Sequence, residues 1–400
     1  MQVNLCEKED CIGCFACQQA CKKEAIKTVY SSDGFAYPEI DEETCVRCGA
    51  CMKVCPIIST EPPYHYNQDS PCYSAYQKDS DIRMGSSSGG MFYTLAKQVI
   101  DSGGIVYGAA WTDNMQLKHQ KAEDEVTLKK LMRSKYVQSD TSEVYADLRN
   151  ELSSNRKVLF SGTPCQVAAL HSFLHGKDYP QLLTVDVVCQ GVPSPGIFKN
   201  YIKFAEAKYG AKVVDAVFRT KENGWRCGLL LLLLLADGRK VELKYSKNDF
   251  YHAFLKNYIL RESCYHCQFK SHKKGCYSDI TLADFWRIGT TVPFECSTYE
   301  KGISAILTNT GKGAKAFEEV KDHIIWEERT YQEFSTNGGL RVAQRPPKQK
   351  EAAQEAMTVG MDTIQSKYFP YTRRMQLSDF LNMHLSQRKI QNIKKWLKRK

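Results

Sequence analysis

No stretch of this 400-residue chain is apolar for long enough to cross a membrane. A spanning helix needs about eighteen such residues or more, and the longest apolar run here is Leu229 to Leu235. The first ten residues are polar and charged, so no secretory leader is read before Cys11. The histidines fall at no metal-ligand spacing, and no Ser-His-Asp or paired-carboxylate arrangement is recognisable. Nothing resembles a nucleic-acid-binding motif. Acidic residues are absent from 388–400, which hold seven basic residues of a total net charge of +10. The body is therefore nearly neutral and the tail basic. Ile390, Ile393, Trp396 and Leu397 lie at helical spacing in that tail. Peripheral contact with an anionic membrane or an acidic partner is one expectation for it, and a solvated terminal helix is the other.

Cysteine is abundant: there are seventeen. Eight of them form two runs, Cys11, Cys14, Cys17, Cys21 and Cys45, Cys48, Cys51, Cys55, the second followed by Pro56. Both have the spacing C-x2-C-x2-C-x3-C, the ligand pattern of bacterial two-cluster 4Fe-4S proteins. Three cysteines two residues apart wrap a loop around three corners of a cubane. The fourth opens a helix and points to the other cluster. The expected sets are Cys11, Cys14, Cys17 and Cys55 for one cluster, and Cys45, Cys48, Cys51 and Cys21 for the second. Structural zinc is the competing reading, but zinc ribbons use two C-x2-C pairs and four ligands in all. Lys22 follows Cys21 where proline is common, which removes no ligand. Residues 26–29 and 35–40 read as two strands around a turn at 31–34. The expected unit is an α+β ferredoxin-like module over 1–60. Thiolate ligands and oxygen-sensitive clusters predict a reducing cytoplasm.

Residues 61–72 are rich in proline, tyrosine and polar side chains, and read as a linker. Beyond them, strands and helices alternate. Helices are expected at 91–100, 126–132, 142–152, 167–174 and 196–208, and strands at 105–111, 157–160 and 182–188. That pattern predicts an α/β domain with a mainly parallel sheet over 73–335. A β-rich insertion is expected at 213–245, including a hairpin turning at Asp237-Gly238 with one fully buried strand. Residues 336–375 read as irregular. The Ser/Gly loop at 85–90 feeds a helix N-terminus, which suits phosphate but also suits an ordinary cap.

A second group of cysteines stands at element ends. Cys165 lies in the turn Gly162-Thr163-Pro164-Cys165-Gln166, where proline suits the first helical position and a helix N-terminus stabilises a thiolate. Cys189 ends a strand, and Cys264 and Cys267 form a C-x2-C pair. Spacing leaves two readings open: a third 4Fe-4S site, or small buried hydrophobes with an idle pair. Cys276 is a candidate substitute ligand, and His266 a hydrogen-bond donor beside the pair. Cys6, Cys72, Cys227 and Cys296 read as structural.

At Gly162 through Leu170 the chain resembles the β subunit of coenzyme F420-reducing hydrogenase and F420-dependent formate dehydrogenase. Ser88-Gly89-Gly90, residues 134–139, Cys189 through Ser194, Ser263 through Cys267, and Ser278 through Trp286 carry the same resemblance, over about residues 72 to 335. The resemblance implies an oxidoreductase with FAD, a third 4Fe-4S cluster at Cys165, Cys189, Cys264 and Cys267, and a redox partner protein or a deazaflavin- or nicotinamide-type small molecule. It suggests that Gly89, Gly90, Lys135, Gly162, Thr163, Pro164 and Gln166 line the flavin site. Chains of this kind also occur with surface-polysaccharide gene sets, so service to polysaccharide biosynthesis is a further expectation. A non-catalytic electron-transfer subunit is the alternative.

Overall fold

The computed structural model describes residues 3–58, 70–222, 224–225, 230–243, 248–270, 275–373 and 377. Most of the expected linker, Cys227 and the basic tail lie outside the described residues.

The N-terminal unit is built on α1 (Ala16–Ala20), the antiparallel pair β1 (Ile26–Tyr30) and β2 (Ala36–Ile40), and α2 (Ala50–Lys53). The chain turns between the strands at Gly34, whose N–H donates to the Ser31 carbonyl at 2.9 Å. The two cysteine loops share a backbone device. Gly13 and Phe15 flank Cys14 with φ of 65° and 55°, and Arg47 and Gly49 flank Cys48 with φ of 54° and 73°. Left-handed residues on either side of the middle cysteine curl each loop tightly.

The larger unit opens with β3 (Cys72–Gln77), α3 (Ser80–Met84), α4 (Met91–Asp101), β4 (Ile105–Trp111), β5 (Leu117–Ala122) and α5 (Glu125–Leu131). Then come α6 (Val144–Ser153), β6 (Val158–Gly162), α7 (Pro164–Phe173), β7 (Leu182–Val187) and α8 (Pro195–Tyr209). The insertion holds β8 (Val213–Phe218), β9 (Leu231–Leu235) and β10 (Lys240–Leu243), followed by α9 (Asp249–Leu255). The chain closes with β11 (Ile280–Asp284), β12 (Ser304–Thr308), α10 (Gly311–Glu318), β13 (Ile324–Arg329), α11 (Tyr331–Phe334), α12 (Gln349–Glu355) and α13 (Met361–Tyr368).

Eight strands form one sheet in the order β13-β3-β12-β11-β7-β6-β4-β5. The expected mainly parallel sheet is mixed instead. Only its centre, β11-β7-β6-β4, is parallel, and the flanking pairs are antiparallel. The reason is local. β5 follows β4 as a hairpin, a connection that permits only antiparallel pairing. β12 likewise returns beside β11, and β3 and β13 extend that edge.

Two other expectations change. The leucine strand β9 is alternately buried and part-exposed, because it is the middle of a separate three-stranded antiparallel sheet with one covered face. Residues 336–375, expected to be irregular, contain α12 and α13. Ala352, Ala353, Met361 and Ile364 of these helices, with Ala356 at the end of the first, are buried in one core with Phe198, Phe218 and Phe250. Tertiary burial makes short helices from a sequence whose polar residues obscure the period.

The N-terminal unit is not a loose appendage. Ile12, Ala16 and Val54 share a core with Tyr145, Phe160, Val167 and Phe173 of the larger unit. Gln19 donates to the Thr141 carbonyl at 2.9 Å and accepts from the Ala146 N–H at 3.0 Å, while the Thr141 hydroxyl donates to the Cys14 carbonyl at 2.9 Å. The fold thus presses the first cysteine loop into the larger unit.

Candidate functional site

The structure brings Cys11, Cys14, Cys17 and Cys55 together. Burial raises the Cys14 and Cys17 thiols well above their usual range. Cys17 and Cys11 reinforce this at Cys14, and Cys11, Cys55 and Cys51 at Cys17. Cys51 is raised by burial and then by Cys21 and Cys45, so a second set gathers there. Cys48 of that loop is exposed. Cys17 and Cys51 pack in one small cluster, where the two sets adjoin.

Cys6, read from sequence as structural, belongs to this centre. Its thiol hydrogen-bonds to Cys11 and Cys55, which holds them down to about 6 and about 7 and pushes Cys6 up. Position alone gives no sign of this, since Cys6 lies outside the repeated spacing.

Backbone N–H groups point at the sulfurs: Gly13 at Cys11, Ala16 at Cys14, Gln18 at Cys17, and Ile57 and Ile58 at Cys55. Four thiols gathered in loops that aim N–H groups at sulfur suit a cluster whose irons take thiolates and whose ligands are hydrogen-bonded, and iron offsets the burial that holds Cys14 and Cys17 protonated. The residues fit the group. Among the described residues, no three His, Cys, Asp or Glu side chains converge on a single-ion position. A cubane spreads its ligands over four irons and does not require such convergence.

A third set forms in the larger unit. Cys165 is raised well above its usual range, by burial first and then by Cys267, Cys189 and Cys264. Burial and then Cys189 and Cys267 bring Cys264 to about 12. The helix N-terminus expected to stabilise the Cys165 thiolate is present, with Thr163 as cap and Pro164 in the first turn. Burial outweighs it. N–H groups again face the sulfurs, from Gly191 at Cys189, Val192 at Cys264, and Phe269 and Lys270 at Cys267. Burial raises the Cys189 thiol, and the buried Lys270 side chain, which donates to the Gln190 and Arg341 carbonyls, offsets only part of that.

Cys276 is not brought to this set; its charged neighbours are Asp186 and Asp279. His266 turns outward and pairs with Asp10 at 3.0 Å, so it braces the two units instead of serving the thiols. Between the first and third sets stands Tyr145, fully buried, its phenol raised by burial and by both Cys14 and Cys165.

A cavity of about 580 Å³ opens at the carboxyl ends of β6 and β7. Gly90, Lys135, Gly162, Thr163 and Gln166 line it, with Ser86 to Ser88 and Cys189 to Gly191. Gly89 and Pro164 do not. Gly89 is pressed against the β3 backbone, where an added Cβ would lie 2.3 Å from the Ala75 carbonyl. Pro164 turns into α7. Burial pushes the Lys135 amine down to about 7, and the amine donates to the Met132 carbonyl at 2.7 Å.

Two polar groups of the wall were not legible in the sequence. Arg219, at φ 63°, pairs with Asp284 at 2.7 Å and lies over the Trp286 ring. His119 is buried, with Nε2 against the Ser161 carbonyl at 3.0 Å and Nδ1 against the Ser139 hydroxyl at 2.9 Å. A carbonyl only accepts, so Nε2 carries the proton and Nδ1 accepts from Ser139. Ser139 in turn accepts from Gln166 at 3.0 Å. The Gln166 side-chain carbonyl accepts from the Thr163 N–H at 2.9 Å, and the Thr163 hydroxyl is 3.1 Å from the Cys165 sulfur. One hydrogen-bonded chain thus joins the cavity wall to the third set.

Residues 155–333 match the family model for the C terminus of the beta subunit of coenzyme F420 hydrogenase/dehydrogenase. That segment is similar to this family. Cys165, Cys189, Cys264 and Cys267 all fall within the matched segment, as do β6 to β13. Two models of 4Fe-4S dicluster domains match at 10–57 and 37–97, overlapping on the second cysteine run. The N-terminal unit thus matches iron–sulfur domains and lies ahead of the segment similar to the beta subunit. A chain of the F420-reducing nickel–iron hydrogenase complex from Methanosarcina barkeri is 18% identical, at a TM-score of 0.45, with 77% of this chain and 93% of that chain covered. No curated protein matches. Among the described residues, no helix is long and apolar enough to cross a membrane.

Proposed function

We propose that the protein is an iron–sulfur flavoprotein oxidoreductase, carrying electrons between its N-terminal 4Fe-4S clusters and a flavin in the cavity. One observation carries the reading. Cys189 belongs both to the third thiol set and to the cavity wall. A third cluster at Cys165, Cys189, Cys264 and Cys267 would thus adjoin the flavin. When bound, clusters exchange single electrons and a flavin exchanges one or two.

The chain's own residues supply the rest. The thiol sets succeed one another from the surface inward. Cys48 is exposed, the second set meets the first at Cys51 and Cys17, and Tyr145 separates the first from the third. The cavity volume lies within the range of cofactor pockets. Lys135 and Arg219 would face the anionic part of FAD, and Tyr136, Phe254 and Trp286 its rings. Coenzyme F420 or another hydride carrier of nicotinamide type is the proposed substrate, since the matched family is described by that coenzyme.

A second reading makes the chain an electron-transfer subunit whose partner holds the active site. The description of the family as a beta subunit favours it, as does the exposed Cys48 beside the exposed Val46.

An anaerobic iron and flavin count on reconstituted protein tests both. About twelve irons and one flavin per chain are expected, each cubane holding four. About eight irons without flavin would overturn the first reading and leave the second.

A further inference from the structure

Arg261 is 1% exposed, yet among the described residues no carboxylate lies within ion-pair distance of it. The acidic side chains beside it in the sequence and across the junction are engaged elsewhere. Glu262 holds Arg345, and Asp10 holds His266. The guanidinium donates to the Cys11 carbonyl at 2.7 Å, the Ala36 carbonyl at 3.0 Å and Gln138 Oε1 at 3.0 Å. One Nη approaches Cys11 Sγ at 3.9 Å. The rings of Tyr37 and Phe35 lie against the cation, at 4.2 and 5.3 Å from their centroids. These contacts engage all three nitrogens but do not neutralise the charge.

Burying a cation without a counter-charge is unfavourable. The charge nearest to hand is that of the first thiol set. We propose that Arg261 is the internal counter-ion of the cluster site formed by Cys11, Cys14, Cys17 and Cys55. The inference rests on reading that site as a 4Fe-4S centre.

The backbone of Arg261 gives this role its consequence. Its N–H donates to the Val192 carbonyl at 3.0 Å, and its own carbonyl accepts from the Cys264 N–H at 2.9 Å. The residue is therefore anchored in the loop of the third set while its side chain ends at the first. Gly13 leaves room for it, since a Cβ there would lie 2.6 Å from the guanidinium. Reduction adds one negative charge to a cluster, and a fixed cation close to a ligand sulfur favours the reduced form. The larger unit thus sets the potential of a cluster whose ligands it does not supply. That potential is raised only while the two units are docked.

The experiment is a redox titration followed by EPR on the full chain, anaerobically reconstituted, as wild type, Arg261→Gln and Arg261→Lys. In Arg261→Gln one midpoint moves to more negative potential and the others stay. Arg261→Lys, which keeps the charge and loses the planar fork, shows a smaller movement of the same midpoint. Unmoved midpoints in clusters of normal iron content overturn the counter-ion role and leave the cluster reading intact. Equal movement of every midpoint also overturns it, as a general packing effect. Wild-type protein without any cubane signal overturns both. Should Arg261→Gln fail to fold, wild type labelled with ¹⁵N-arginine decides. A guanidinium nitrogen coupling to the reduced cluster by ENDOR supports the role, and its absence ends it.

Discussion

Arg219 and Asp284 form an ion pair at 2.7 Å in the cavity wall, with the guanidinium 4.7 Å from the Trp286 ring centroid. Trp286 stacks in turn on Trp225, which is buried, at 4.5 Å. Breaking a buried pair by removing one partner costs about 3 kcal/mol or more. Arg219→Ala is expected to lose about that much stability by urea denaturation and, on the proposed flavin reading, at least tenfold in flavin affinity. Arg219→Lys keeps the charge but not the stacked plane, and is expected to recover only part of both.

His119 supplies a pH dependence. Burial holds its imidazole down at about 4, against a usual value near 6.5. Between those values the unfolded chain takes up the proton and the folded protein resists it. The contribution of the neutral ring is therefore complete above pH 6.5 and lost as pH falls through 4. It amounts to about 3 kcal/mol at most. The stability difference between wild type and His119→Gln, by chemical denaturation, is expected to shrink steadily over that window and to be flat above it.

Gly13 combines a left-handed backbone with the close approach of Arg261. Alanine there costs roughly 1–2 kcal/mol in backbone strain and displaces the guanidinium. The reconstituted Gly13→Ala protein is expected to fall short by up to about four irons, one cubane. Gly176 is the control. It has φ of 67° but nothing within 4 Å of an added Cβ, so Gly176→Ala is expected to keep its full iron content.

Tyr145 fills the space between Cys14 and Cys165, and its hydroxyl donates to the Gln166 carbonyl at 3.3 Å. Tyr145→Phe removes one hydrogen bond and is expected to cost about 1 kcal/mol. Tyr145→Ala opens a cavity in a core shared by both units, for about 3–5 kcal/mol. Thermal unfolding of the two variants separates these outcomes.

The cysteine runs were legible because ligand spacing is a local property: three thiols two residues apart can only serve one loop. The strand-and-helix alternation was legible for the same reason, from residue period and turn chemistry within a few positions. Which strands run antiparallel, and that 349–368 is largely helical, depended on pairing and burial against distant segments. The same holds at the site. The sequence by itself determined the two N-terminal cysteine runs, and its resemblance pointed to the third group and to the segment similar to the beta-subunit family. Only the tertiary structure decided that Cys6 joins the first set and Cys276 stays out of the third. It also decided that Gly89 and Pro164 turn away from the cavity, and that Arg261 crosses from one thiol set to another. Those facts turn on charge and contact between residues as far apart as Cys11 and Arg261, and no local pattern encodes such a distance.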